Sequence, residues 1–166
     1  ATPVLGDVLR GTLVSASGEF SSFWAAANAI DGSRDTAWIS PARPEEKAER
    51  LEIDLLGVKT IDRIVMAPNK AYPDLFPPDI DLLASVDGKS WTIVASRRGV
   101  TLQEKELLTL PIAETQARYI RLEVLKQNKN VAGLYYASVG ELEVHQKAKV
   151  PDALQLSFTA PGDDPG

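Results

Sequence analysis

The stretch Ala117–Leu125, ARYIRLEVL, decides the fold. Apolar and polar residues alternate along it, and Ile120, Leu122 and Val124 share one face. A period of two belongs to a strand with one buried side. Leu51-Glu52-Ile53-Asp54-Leu55 repeats the pattern and is punctuated by Gly57. Ile61–Ala67 is apolar enough to predict a central strand. Leu13–Ser17, Ile80–Ser85, Trp91–Ser96, Glu104–Leu110 and Val139–His145 read as further strands. Asp87-Gly88 joins two of these as a hairpin signal. About eight short strands with turns between them predict an all-β, antiparallel sandwich or barrel. A parallel sheet would need crossover helices, and the sequence offers none.

Composition sets the limits. The 166 residues suit one domain with a stub of a second. The hydrophobic fraction of 44% is enough for a core without covalent staples. The chain has no cysteine, which excludes disulfides and thiolate metal sites. A net charge of −5 with no basic block argues against nucleic acid as a partner. No apolar run reaches membrane-spanning length. The opening Ala-Thr-Pro, without methionine, is expected of a piece of a longer protein. Residues 1–12 read as an N-terminal arm, 13–146 as the sandwich domain and 147–153 as a linker. Residues 154–166 alternate briefly and read as the start of a truncated second domain.

Between the first strands lies AAANAIDGSRDTAWIS, residues 25–40. It gathers short oxygen-bearing side chains around Asp31-Gly32. Such a loop suits a hard cation, and it also suits an ordinary polar turn. It is no EF-hand, because glycine falls second rather than sixth and the twelfth position is Ala42.

Several motifs then come in order: NAIDGSRDTAW (28–38), LEIDLLG (51–57), TIDRIVM (60–66), FPPDIDLLASVDGKSW (76–91), ARYIRLEV (117–124) and YYASVGELEV (135–144). Together they resemble the discoidin family, also called the factor V/VIII type C domain, and its branch of bacterial carbohydrate-binding modules. The resemblance covers residues 13–146 and implies an eight-stranded jelly-roll β-sandwich. It also implies a structural calcium held by Asn28, Asp31, Ser33, Thr36, Gly140 and Glu141. Residues 154–166 resemble the opening of a fibronectin type III-like domain.

In this family a ligand is read by loops at one end of the sandwich. The residues expected to do so here are Trp24, Asn69, Lys70, Tyr72 and Tyr135, with Phe20 and Phe23 nearby. Flat aromatic faces ringed by hydrogen-bonding groups suit a sugar. Trp38, Phe76 and Trp91 are expected in the core. Galactose-binding relatives carry a His after the motif tryptophan and an Arg after the fourth strand. Ile39 and Asn69 stand there instead, so galactose specificity does not carry over. Leu75 and Phe76 could imitate a membrane-inserting spike, which the acidic charge opposes.

The single histidine, His145, is expected on the surface, with no nucleophile near it. Asp54, Asp62, Asp79 and Asp81 read as outward strand residues rather than a glycosidase pair. The expectation is therefore a monomeric, non-catalytic module of an extracellular or cell-surface protein. It would hold calcium and bind a glycan or an extracellular protein. The alternative is a structural or protein–protein interaction module with no sugar binding.

Overall fold

The computed structural model of the chain describes residues 8–147 apart from Arg10, with backbone only at 12–14. The expected second domain, and the linker beyond Lys147, lie outside the described residues. The strands are β1 (Val8–Leu9), β2 (Thr12–Ala16), β3 (Trp38–Ile39), β4 (Glu49–Ala67), β5 (Asp79–Ser85) and β6 (Thr92–Arg97). They continue as β7 (Leu108–Lys126), β8 (Asn128–Lys129), β9 (Tyr135–Tyr136), β10 (Ser138–Val139) and β11 (Glu141–Gln146). All named pairings are antiparallel. The expected arm is in part a strand, since Val8 pairs with His145 and Leu9 with Val144.

Two long strands organise the molecule. β4 and β7 each run 19 residues and pair with one another from end to end. The sequence pattern predicted two strands in place of β4, at Leu51–Leu55 and Ile61–Ala67. The chain instead bends between them. Leu56 takes a φ of 64° and Gly57 a φ of 156°, and the register jumps between Asp54 and Lys59. An Asp54 carboxylate oxygen accepts the Leu56 N–H at 2.8 Å and shapes the bend. A second shift between Ile61 and Arg63 changes the parity of buried residues. Leu51, Ile53, Leu55 and Ile61 face inward before it, and Ile64 and Met66 after it.

The first half of β4 pairs with β2, and the second half with β11. The C-terminal half of β7 pairs with β5, which continues to β6. Each long strand therefore serves two layers, and the inward faces of both layers meet in one core. Among the described residues there are eleven strand segments, five of them only two residues long. The strand expected from Glu104 begins only at Leu108, after a turn. The Asp87-Gly88 hairpin forms as expected. Gly88 takes a φ of 76°, and Asp87 Oδ1 accepts the N–H groups of Lys89 and Ser90.

Trp38 and Phe76 are core residues, as expected. Trp91 is a correction: it is half-buried on the outer face, with the Arg121 guanidinium 4.1 Å from its ring centroid. His145 is a second correction, at 8% exposed. Pairing with Val8 of β1 covers it, and its ring lies between Arg63 at 2.9 Å and Glu143 at 3.2 Å.

Candidate functional site

Residues 26–30 form a 3-10 turn, ended at Asp31. The Asn28 side-chain amide donates to the Phe23 carbonyl at 3.0 Å and the Ala37 carbonyl at 3.1 Å. It thereby fastens the following loop to the aromatic segment before it. Asp31 Oδ1 accepts the Ser33 N–H at 2.9 Å, and Asp31 Oδ2 accepts the Thr36 hydroxyl. Ser33 Oγ accepts the Asp35 N–H at 3.1 Å. The loop also reaches the last strand: the Gly32 N–H donates to Glu141 Oε1 at 3.0 Å. Gly140 donates its N–H to the Ala67 carbonyl at 2.9 Å and brings Glu141 to the loop.

Glu141 is 2% exposed, and its Oε2 is buried without a hydrogen-bond partner. Burial pushes its carboxyl from 4.5 up to about 8, the Asp31 charge adds to that, and the Gly32 N–H pulls the other way. A buried carboxylate beside a second one is costly unless a cation or proton joins them. Asp31, Ser33, Thr36, Gly140 and Glu141 therefore belong to one neighbourhood. Asn28 joins it through the same loop. Among the described residues no cluster of three or more His, Cys, Asp or Glu could hold a metal ion.

The structure also holds a cleft of about 300 Å³. Phe20, Trp24, Tyr72 and Tyr136 form its aromatic walls. Trp24 and Tyr72 stand edge to face with centroids 6.1 Å apart, and Phe20 and Tyr136 likewise at 5.7 Å. Ile39 and Leu75, both buried, contribute its apolar base. Asp74, Asn130 and Val131 complete the lining. Asn130 Oδ1 accepts the N–H groups of Ala132 and Leu134, which leaves its amide nitrogen as the donor on offer. Tyr72 is 48% exposed and Phe20 50%, so their rings remain accessible.

The expected ligand residues divide sharply. Trp24 and Tyr72 line the cleft together. Asn69 does not: it is 3% exposed, donates to Ser138 Oγ at 3.1 Å and accepts the Ala71 N–H at 3.0 Å. It shapes the loop and offers no free edge. Lys70 is exposed but pairs with Asp35 at 2.7 Å, outside the cleft lining. Tyr135 stacks under Lys129, 5.0 Å from its ring centroid, and its neighbour Tyr136 takes the place in the wall. Leu75 and Phe76 are buried, so they form no membrane spike. Asp74 and Asn130 were missed, and only their places on aromatic-flanked loops could have signalled them.

The F5/8 type C domain profile matches residues 14–137. The chain belongs to the F5/8 type C domain family. Solved structures of the same fold include the module CpGH89CBM32-5 of Clostridium perfringens, in complex with GalNAc-β-1,3-galactose. It is 23% identical over 84% of this chain and 99% of that one, with a TM-score of 0.71. The family 32 module of NanJ from C. perfringens, in complex with galactose, is 23% identical over 84% and 98%, with a TM-score of 0.69. A putative chitobiase fragment from Bacteroides thetaiotaomicron is 17% identical over 90% and 96%, with a TM-score of 0.76. At these identities the likeness shows a discoidin-like β-sandwich fold. No curated protein matches the chain. Among the described residues of this F5/8 type C domain, no helix is long and apolar enough to cross a membrane.

Proposed function

We propose that this F5/8 type C domain is a non-catalytic glycan-binding module of a larger extracellular protein. The observation that carries the reading is the cleft itself, in which Phe20, Trp24, Tyr72 and Tyr136 converge with Asp74 and Asn130. Sugar rings present C–H faces to aromatic rings and hydroxyls to planar polar groups. Solved relatives bound to galactose and to GalNAc-β-1,3-galactose support the same use. Tyr72→Ala is expected to weaken glycan binding by about tenfold or more, because the half-exposed ring supplies contact area rather than stability. A glycan array with titration of the hits measures this. Silence toward every sugar would instead favour a protein-interaction module.

The reading includes a structural calcium in the Asp31–Glu141 neighbourhood. Its support is the partnerless buried Glu141 Oε2 beside Asp31, with hydroxyls of Ser33 and Thr36 and backbone carbonyls within the same loop. Two carboxylates with neutral oxygens suit a divalent hard cation, which would supply charge neutralisation and a cross-link. Asn28, Asp31, Ser33, Thr36, Gly140 and Glu141 would hold it.

Chelator is expected to lower the melting temperature by roughly 10 °C, for an ion present at about a hundred times its dissociation constant. The effect has a pH sign. Without the ion, a Glu141 carboxyl raised from 4.5 to about 8 favours the folded state in its protonated form. That stability is complete below about 4.5 and is lost as pH rises through about 8. The ion requires the carboxylate, so the chelator-sensitive shift is larger at high pH than at pH 6. Asp31→Ala should remove the shift. A melting curve indifferent to chelator at every pH would refute the calcium reading.

A further inference from the structure

We infer that the bend in β4 is a docking surface for the chain's own continuation: residues 148–154 run on along β4 and lay Val150 and Leu154 over Leu56 and Val58. The bend is a costly place for apolar residues. Leu56 is 66% exposed and Val58 47%. Leu56 also holds a left-handed φ of 64°, and among the described residues it is the one residue other than glycine with a positive φ. Asparagine or glycine adopts that conformation at lower cost. A leucine held there, strained and in water, gains only if something apolar covers it.

The edge of the strand offers a slot at the same place. On the side of β4 away from β7, β2 pairs as far as Asp54 and β11 pairs from Ile61 onward. Among the described residues no strand pairs with that edge between them. The described chain ends at this slot. Gln146 pairs with Ile61, and the Lys147 N–H donates to the Thr60 carbonyl at 2.8 Å. The same register carried forward brings Lys149 to Val58, Val150 to Gly57 and Pro151 to Leu56. Proline has no N–H to add to a ladder, and the Leu56 N–H is already taken by Asp54. Pairing therefore stops at Pro151 and contact passes to side chains. Val150 and Leu154 are the first large aliphatic residues beyond Lys147. The aromatic cleft stands at the other end of the sheet. Its Asp74 and Asn130 flank the pair Asp79–Lys126, whereas Asp54 beside the bend pairs with Tyr119. Docking at the bend sets the direction in which the chain leaves the sandwich and keeps it clear of the cleft.

The test uses the full chain, with thermal melting and limited trypsin digestion of the Lys149–Val150 bond. Leu56→Asn removes the apolar cover and suits the left-handed backbone better than leucine. On a bare bend it should leave the melting temperature unchanged or raise it. Docking predicts a fall of about 4 °C or more and cleavage about tenfold faster. Val150→Ser should cause a similar fall, and the double variant should melt no lower than the worse single one, because both remove the same contact. A melting temperature that holds or rises with Leu56→Asn overturns the inference. Losses that add in full overturn it too, since Leu56 is then covered by something other than this segment, as does cleavage at Lys149 that Leu56→Asn does not change.

Discussion

Trp38→Ala is expected to cost about 3–5 kcal/mol of folding stability, the range for emptying a large aromatic site in a packed core. Trp38 is fully buried in the main core cluster. Its indole N–H donates to the Gly18 carbonyl at 2.9 Å, which joins the loop after β2 to the core. Alanine leaves both a cavity and an unpaired carbonyl. In urea the midpoint should fall with an unchanged slope, because the surface exposed on unfolding hardly alters. Trp38→Phe should recover most of the loss and retain the cost of the missing hydrogen bond, about 1 kcal/mol. A change below about 1 kcal/mol for Trp38→Ala would contradict this account of the core.

Gly140→Ala is expected to cost about 3 kcal/mol or more, through overlap rather than cavity. A Cβ at this position would lie 2.3 Å from the Pro68 carbonyl oxygen and 2.8 Å from its carbon. Both are backbone atoms at the end of β4, so no side chain can swing aside. Relief requires the last strand to move away from β4, and Glu141 is the next residue along. On the calcium reading proposed above, the variant should lose chelator sensitivity as well as stability. Gly99→Ala is the control. It has a φ of 67° but nothing within 4 Å of its Cβ, so only the backbone preference is felt, about 1–2 kcal/mol. Equal costs at the two glycines would show that the close approach at Gly140 is not tight.

Alternation made the sheet legible, because a strand with one dry face must write its period into the sequence. It could not show that β4 is continuous, since Leu56-Gly57 looks like a turn and is a bend within one strand. It also misplaced His145. Glu143 and His145 share a parity that points outward, yet β1 pairs over His145 and buries it. Loop residues were harder. Asn69 and Tyr72 lie in the same proline-rich segment, but an Asx-type bond to Ala71 turns Asn69 inward while Tyr72 faces the cleft. Tyr135 and Tyr136 are neighbours in sequence and opposite in side. The backbone exchange between Arg43 and Tyr135 fixes which of them reaches the cleft. Such choices depend on contacts distant in sequence, and a shift of one residue reverses them.

The two strands that serve both layers also set a speed. Glu49 must find Val124, and Met66 must find Leu108, across about 40 to 75 residues of intervening chain. No local hairpin can stand in for that pairing, because β4 and β7 form the shared spine of the sheet. The entropy of closing so long a loop has to be met before the core repays it. Folding therefore belongs to the slow class of antiparallel proteins, on the order of milliseconds to seconds. During that interval the apolar halves of both strands stand unpaired, so this domain is most exposed to aggregation while it is being made rather than once it is folded.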